Sequence, residues 1–151
     1  MAKFIFAMQN LLTMKEKLEE QEKNNYSQAN LRLLEAEEEL QGLKDRLWEA
    51  QENLRAEMVS DQLDVRRIRR RENAVEIIRM YVRQQELVVI RCQKDLEIAR
   101  QRLNEAMKER KTYEKLRERA FEEFCLEENR KEQKEVDELV SYRYGVGASE
   151  A

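Results

Sequence analysis

Residues 68–106 read IRRRENAVEIIRMYVRQQELVVIRCQKDLEIARQRLNEA, and the spacing of apolar side chains in this stretch decides the fold. Ile68, Val75, Val82, Val89, Leu96 and Leu103 fall one heptad apart. A companion row, offset by three residues, runs through Arg71, Ile78, Gln85, Cys92, Ala99, Ala106 and Tyr113. Alternating steps of three and four place both rows on one side of an α-helix, the seam of a coiled coil. No proline or glycine interrupts it, and Arg, Glu, Lys and Gln, good helix formers that stay in water, occupy the positions between. A long helix with one apolar edge needs a partner.

A candidate partner lies upstream in the same chain. Ala29, Leu33, Ala36, Leu40, Leu43, Leu47, Ala50 and Leu54 keep the same alternation. Before them, Phe4-Ile-Phe-Ala-Met8 runs into Leu11, Leu12, Met14 and Leu18, so helix one is expected from about residue 4 to 58. Between Leu18 and Tyr26 the apolar step is eight residues, which reads as a local phase shift of the supercoil. The segment Val59-Ser-Asp-Gln-Leu-Asp64 holds three good N-cap residues, Ser60, Asp61 and Asp64. It favours a hairpin apex near 59–64 over a continuous helix whose frame would pass through Asp61. Folding there pairs positions whose numbers sum to about 125. Leu47 then meets Ile78, Leu43 meets Val82, Ala36 meets Val89 and Leu33 meets Cys92, with small residues opposite several larger ones. The same pairing brings Leu12 near Tyr113 and Phe4 or Ile5 near Phe121.

The expected fold is therefore all-α: two long helices in an antiparallel coiled-coil hairpin, one domain over 1–144, with helix two from about 64 to 143 and a flexible tail at 145–151. Helix two outlasts its partner. Residues 127–135 carry no apolar side chain, apart from which Glu127 and Lys131 stand at helical ion-pair spacing. Val136, Leu139 and Val140 then restore a small apolar face with nothing in helix one left to cover it, and such an overhang suggests a partner.

Composition agrees with a long helical element. Charged residues make up 40% of the 151 positions and aromatics 7%, too polar for a compact globular core. Pro 0 and Gly 3 leave few turns. A net charge of −3 argues against a general polyanion binder, and His 0 removes the commonest general base and metal ligand. Cys92 and Cys125 form no CxxC pair and read as free thiols of a reducing cytoplasm. No apolar run approaches the roughly 20 residues of a membrane span, and the start is too brief for a signal peptide.

Among denser clusters, Arg66-Arg-Ile-Arg-Arg-Arg71 is either a phosphate or acidic-partner contact near the apex or, the reading favoured for want of interleaved aromatics, a solvated face around Ile68. Glu35-Ala-Glu-Glu-Glu39 lacks histidine or a second converging segment and reads as a solubilising face, so no metal is expected. Ile77, Met80, Tyr81 and Val88 widen the apolar stripe, either as thicker seam packing or as a lateral binding patch. No nucleophile–base pair, phosphate loop or paired catalytic carboxylates can be assembled, so neither an enzyme nor a cofactor is expected.

The two ends carry a family resemblance. Phe4-x-Phe6, Leu11-Leu12, then Lys15 and Glu16 are similar to the N-terminal pattern of the bacterial flagellar export FliJ family. Glu128-Asn-Arg-Lys-Glu-Gln133-Lys134-Glu-Val-Asp137-Glu138 resembles its C-terminal signature. The resemblance implies a stalk-like coiled coil of the flagellar type III export apparatus, serving flagellum biogenesis, motility and chemotaxis. It implies a cytoplasmic protein, peripherally associated with the inner membrane at the flagellar base. The partners it implies are the hexameric export ATPase, the membrane export gate and export chaperones, with no nucleic acid and no small-molecule substrate. Carried onto this chain, the ATPase-binding residues are Phe4, Phe6, Leu11, Leu12, Gln133, Lys134, Asp137 and Glu138. An export-gate patch falls at Leu43, Arg46, Ile78, Tyr81 and Gln85. The alternatives are a homodimeric structural scaffold and, less favoured by the acidic balance, a nucleic-acid-binding coil using Arg66 to Arg71.

Overall fold

The computed structural model describes residues 2–150, with side chains placed over 2–147. Two long helices, α1 (Gln9–Val59) and α2 (Val65–Glu150), pack against each other, and no strand forms among the described residues. They are joined by residues 60–64, where the chain turns without glycine and without any positive φ. Asp64 caps α2: its carboxylate accepts the Arg66 N–H at 3.0 Å and its carbonyl accepts the Ile68 N–H at 3.0 Å. The first satisfies one of the four N–H groups a helix start leaves without partners, and the second is the opening i→i−4 bond of the helix.

Contacts group the chain into two compact units, Met1–Glu20 with Glu105–Ala151, and Gln21–Asn104; both helices run unbroken through the division. In the unit 21–104 the seam is the one the apolar spacing predicts. Val75, Val82, Gln85, Val89 and Ala99 are buried, with Ile68, Ile78, Cys92, Leu96 and Leu103 half-buried in the same rows. Ala29 and Ala36 are buried on α1, and Leu33, Leu40, Leu43, Leu47, Ala50 and Leu54 are half-buried. Gln85, the polar member, donates from Nε2 to the Ala36 carbonyl at 3.0 Å, and Arg71 reaches Glu57 at 4.0 Å. Partners on α2 therefore fall in number as those on α1 rise. In the other unit Phe4 meets Phe121 and Lys15 meets Glu109, the same descending order.

Three expectations are corrected. Helix one does not begin near Phe4: residues 2–6 have no regular structure, and the helix opens at Gln9 after a turn in which the Gln9 N–H donates to the Phe6 carbonyl at 3.1 Å. Side chains two apart point about 200° apart on a helix, so a helical start could not cover both Phe4 and Phe6. Off the helix, Phe6 is buried and Phe4 packs on Phe121 and Phe124, at centroid distances of 5.2 and 5.4 Å.

Helix two does not stop before 145. It continues through Gly145 and Gly147 to Glu150, where a flexible tail was expected. Glycine ends helices by taking the left-handed conformation, and neither glycine has a positive φ. Residue 151 lies outside the described residues.

The step between Leu18 and Tyr26 is not a phase shift. Burial in α1 runs Leu12, Lys15, Glu19, Glu22, Tyr26, Ala29, in unbroken steps of three and four, while Leu18 is exposed. The frame persists; its rungs are charged.

Candidate functional site

Charged rungs of this kind survive in a seam when each has a counterpart. On α2 the residue one heptad beyond Leu103 is Arg110, which donates to both carboxylate oxygens of Glu19 and, at 2.8 Å, to Glu114. Glu19 is only 6% exposed. Lys15 pairs with Glu109 at 2.8 Å, and that hydrogen bond holds the Lys15 pKa above its ordinary value. Arg110 is likewise held above its ordinary value, first by Glu19 and then by Glu114. Lys15 and Arg110 thus keep their charge and serve the seam.

The Phe4–Leu12 segment is largely consumed by the same unit. Leu12 is 2% exposed, Phe6 is buried, and Phe4 and Leu12 line one shallow groove with Glu16, Glu114, Arg117 and Phe121. Of the four N-terminal residues singled out in the sequence, Leu11 alone is exposed.

The other half of the candidate site is open. Every residue from 131 to 147 is exposed, including Gln133, Lys134, Asp137 and Glu138. Val136, Leu139 and Val140 sit exposed on one face among them. At 100° per residue, Gln133 and Asp137 border that apolar stripe on its Val140 side while Lys134 and Glu138 lie on the far side. The helix thus presents distinct chemistry around its whole circumference. Lys131, expected to pair with Glu127, lies instead 3.9 Å from Glu128. Gln133 is nine residues beyond Phe124, about 13 Å of helical rise, so the structure does not merge the two ends of the candidate site into one contact cluster.

A family model described as the flagellar FliJ protein matches residues 4–149, both end patterns included. The chain belongs to the FliJ family. No match was found among curated proteins or among solved structures. Membership in the FliJ family makes the chain a component of the flagellar protein export machinery. No helix among its described residues is long and apolar enough to cross a membrane.

In this FliJ-family chain the mid-helix residues Leu43, Arg46, Ile78, Tyr81 and Gln85 do not form one surface. Gln85 is buried on Ala36, and Leu43 and Ile78 are half-buried in the seam. Arg46 lines a shallow groove with Ile78, and Tyr81 is exposed. The wider stripe of Ile77, Met80, Tyr81 and Val88 is also exposed, and Leu87 extends it. These side chains leave 37–64% of their surface exposed, so the stripe lies at the surface beside the seam. Two features escaped the apolar reading. The charged rungs could have been found by carrying the heptad frame through Glu22, Glu19 and Lys15. The exposed aliphatic cluster at the apex, Met58, Val59, Leu63 and Val65, follows no periodicity that marks it.

Proposed function

We propose that this FliJ-family chain is a non-enzymatic stalk of the flagellar export apparatus, an antiparallel coiled-coil hairpin that engages the hexameric export ATPase. Residues 131–147 make that contact, and through it the chain promotes assembly and activity of the ATPase. In the same reading it works in the cytoplasm, peripheral to the inner membrane, contacts the membrane export gate and escorts export chaperones. One observation carries the ATPase contact: a helical segment exposed on all sides, with an apolar stripe of Val136, Leu139 and Val140 and polar groups around the rest. A helix lying on a flat partner uses one face. A helix seated in the bore of a ring meets wall on every side, and a mixed circumference suits it, with aliphatics as anchor and Gln133, Lys134, Asp137 and Glu138 as hydrogen-bonding and charged contacts.

The test is the triple variant Gln133→Ala, Lys134→Ala, Asp137→Ala. These exposed positions add little packing and alanine is a strong helix former, so helicity and melting should stay within about 0.5 kcal/mol of the parent. Stimulation of ATP turnover by the cognate flagellar export ATPase should fall by most of its amplitude. If the triple variant stimulates as well as the parent, this segment is not the ATPase-facing one. A parent without effect on the ATPase would remove the stalk reading altogether.

A further inference from the structure

The apex combines two features that neither the seam nor the ATPase contact uses. Met58, Val59, Leu63 and Val65 leave 51%, 77%, 66% and 64% of their surface exposed, four aliphatic side chains within eight residues. Directly after them, Arg66, Arg67, Arg69, Arg70 and Arg71 take every side of the first turns of α2 except the one that Ile68 turns into the seam. Between Arg55 and Glu72 six arginines face four carboxylates, in a chain whose net charge is −3. One of those carboxylates caps α2 and another, Glu57, is engaged by Arg71. Arg67, Arg70 and Arg71 line one shallow depression beside Glu57 and Ala74. No acidic residue stands in the first turn of α2, so the arginines crowd the end of the helix whose dipole disfavours cations. An arrangement that costs the isolated helix stability is expected where a partner compensates it.

We infer that the apex is a docking surface for an anionic lipid bilayer: Met58, Val59, Leu63 and Val65 enter the headgroup layer while Arg66, Arg67, Arg69 and Arg70 bind lipid phosphates. The pairing of the two features selects this partner. Nucleic acid would take the charge but leave the aliphatics in water, and residues 55–72 offer no aromatic ring for a base to stack on. An acidic protein would need a surface shaped to a turn with its aliphatics displayed on the outside. A fluid interface needs only charge and apolar depth, the two signals that together hold a soluble protein at a membrane. The inference is independent of the ATPase contact, which lies in the other compact unit.

The test is co-sedimentation of the full chain with vesicles of phosphatidylglycerol and phosphatidylcholine in equal parts, against phosphatidylcholine alone. With each arginine near an anionic surface contributing about fivefold in partitioning, four should give a preference on the order of 100-fold or more for the anionic vesicles at low salt. Arg66→Gln, Arg67→Gln, Arg69→Gln and Arg70→Gln together should abolish it, and Arg→Lys at the same four positions should largely keep it. Val59→Ser with Leu63→Ser should lower binding to the anionic vesicles about tenfold. The same pair should leave any binding to a single-stranded oligonucleotide unchanged. Circular dichroism follows helicity, and because the serine pair removes no charge and no seam residue, it decides the matter even if the glutamine variant misfolds. Equal binding to both vesicle types, or undiminished vesicle binding by the serine pair, overturns the proposal. So does tighter binding of the chain to the oligonucleotide or to polyglutamate than to the anionic vesicles at the same salt, which would assign the arginines to nucleic acid or to an acidic protein. The inference rests on the peripheral-membrane part of the proposed function, and because no arm contains an ATPase, failure here leaves the ATPase contact untouched.

Discussion

Glu19 and Arg110 stand where the heptad frame calls for apolar side chains, and each is there because the other is. A carboxylate left 6% exposed has given up most of its water and is stabilised by the guanidinium that donates to both its oxygens. Removing Glu19 takes from Arg110 its partner across the seam and leaves it Glu114 on its own helix, whereas replacing both with leucine restores an ordinary seam layer. Glu19→Ala is therefore expected to lower the melting temperature by about 5 °C or more. Glu19→Leu combined with Arg110→Leu should recover most or all of that loss, and thermal unfolding followed by circular dichroism checks both. If the double leucine variant melts lower than Glu19→Ala, the layer is more than a paired charge in an apolar frame. The same two residues show why this layer was hard to read. A search for apolar spacing loses one row of α2 at Arg110 and meets Lys15, Glu19 and Glu22 between Leu12 and Tyr26 in α1, so that only the spacing, not the residue type, carries through.

At the scale of the helices, Val75, Val82 and Val89 were legible because apolar residues one heptad apart have one common use, and all three are buried. The connection at 60–64 was legible from capping chemistry, and Asp64 supplies the cap. The ends were not. Phe4 and Phe6, two residues apart, cannot share one face of a helix, but the apolar run onward into Leu11 and Leu12 masks that, and the Phe4–Phe121 contact shows the segment packed off the helix. Gly145 and Gly147 signal a stop only in a conformation they do not adopt. The pairing across the seam has a direct test. Pairing positions whose numbers sum to about 125 sets Leu33 opposite Cys92, both half-buried. In a Cys125→Ser background, Leu33→Cys should form an intrachain disulfide with Cys92 under mild oxidation, at an ordinary Cα separation of about 5.5 Å. Mass spectrometry of a digest identifies the linked peptides. Efficient dimerisation through Cys92 with no intrachain link would replace the hairpin with a parallel pair of chains.

For the molecule as a whole, the seam accounts for the buried residues and leaves three exposed features that it does not use: the segment 131–147, the lateral stripe from Ile77 to Val88, and the apex. Exposure was legible in the sequence for the first, where Val136, Leu139 and Val140 have no counterpart in α1. The roles given to Gln133, Lys134, Asp137 and Glu138 came through the family resemblance, because four polar residues on an exposed helix specify no partner by physics alone. The proposed gate residues show the limit from the other side, since Gln85 is buried in the seam while Tyr81 is free at the surface. On the stalk reading the export ATPase binds 131–147. Hydrogen exchange of the full chain, alone and with the cognate export ATPase hexamer, measures this segment by segment. Amides of an exposed helix end exchange through low-energy local opening, and seating it in a partner raises that energy. The expected result is slowed exchange concentrated in 131–147, with the apex at 58–71 unchanged. Slowing confined to the apex or to the stripe at 77–88, with 131–147 exchanging as in the free chain, would contradict it.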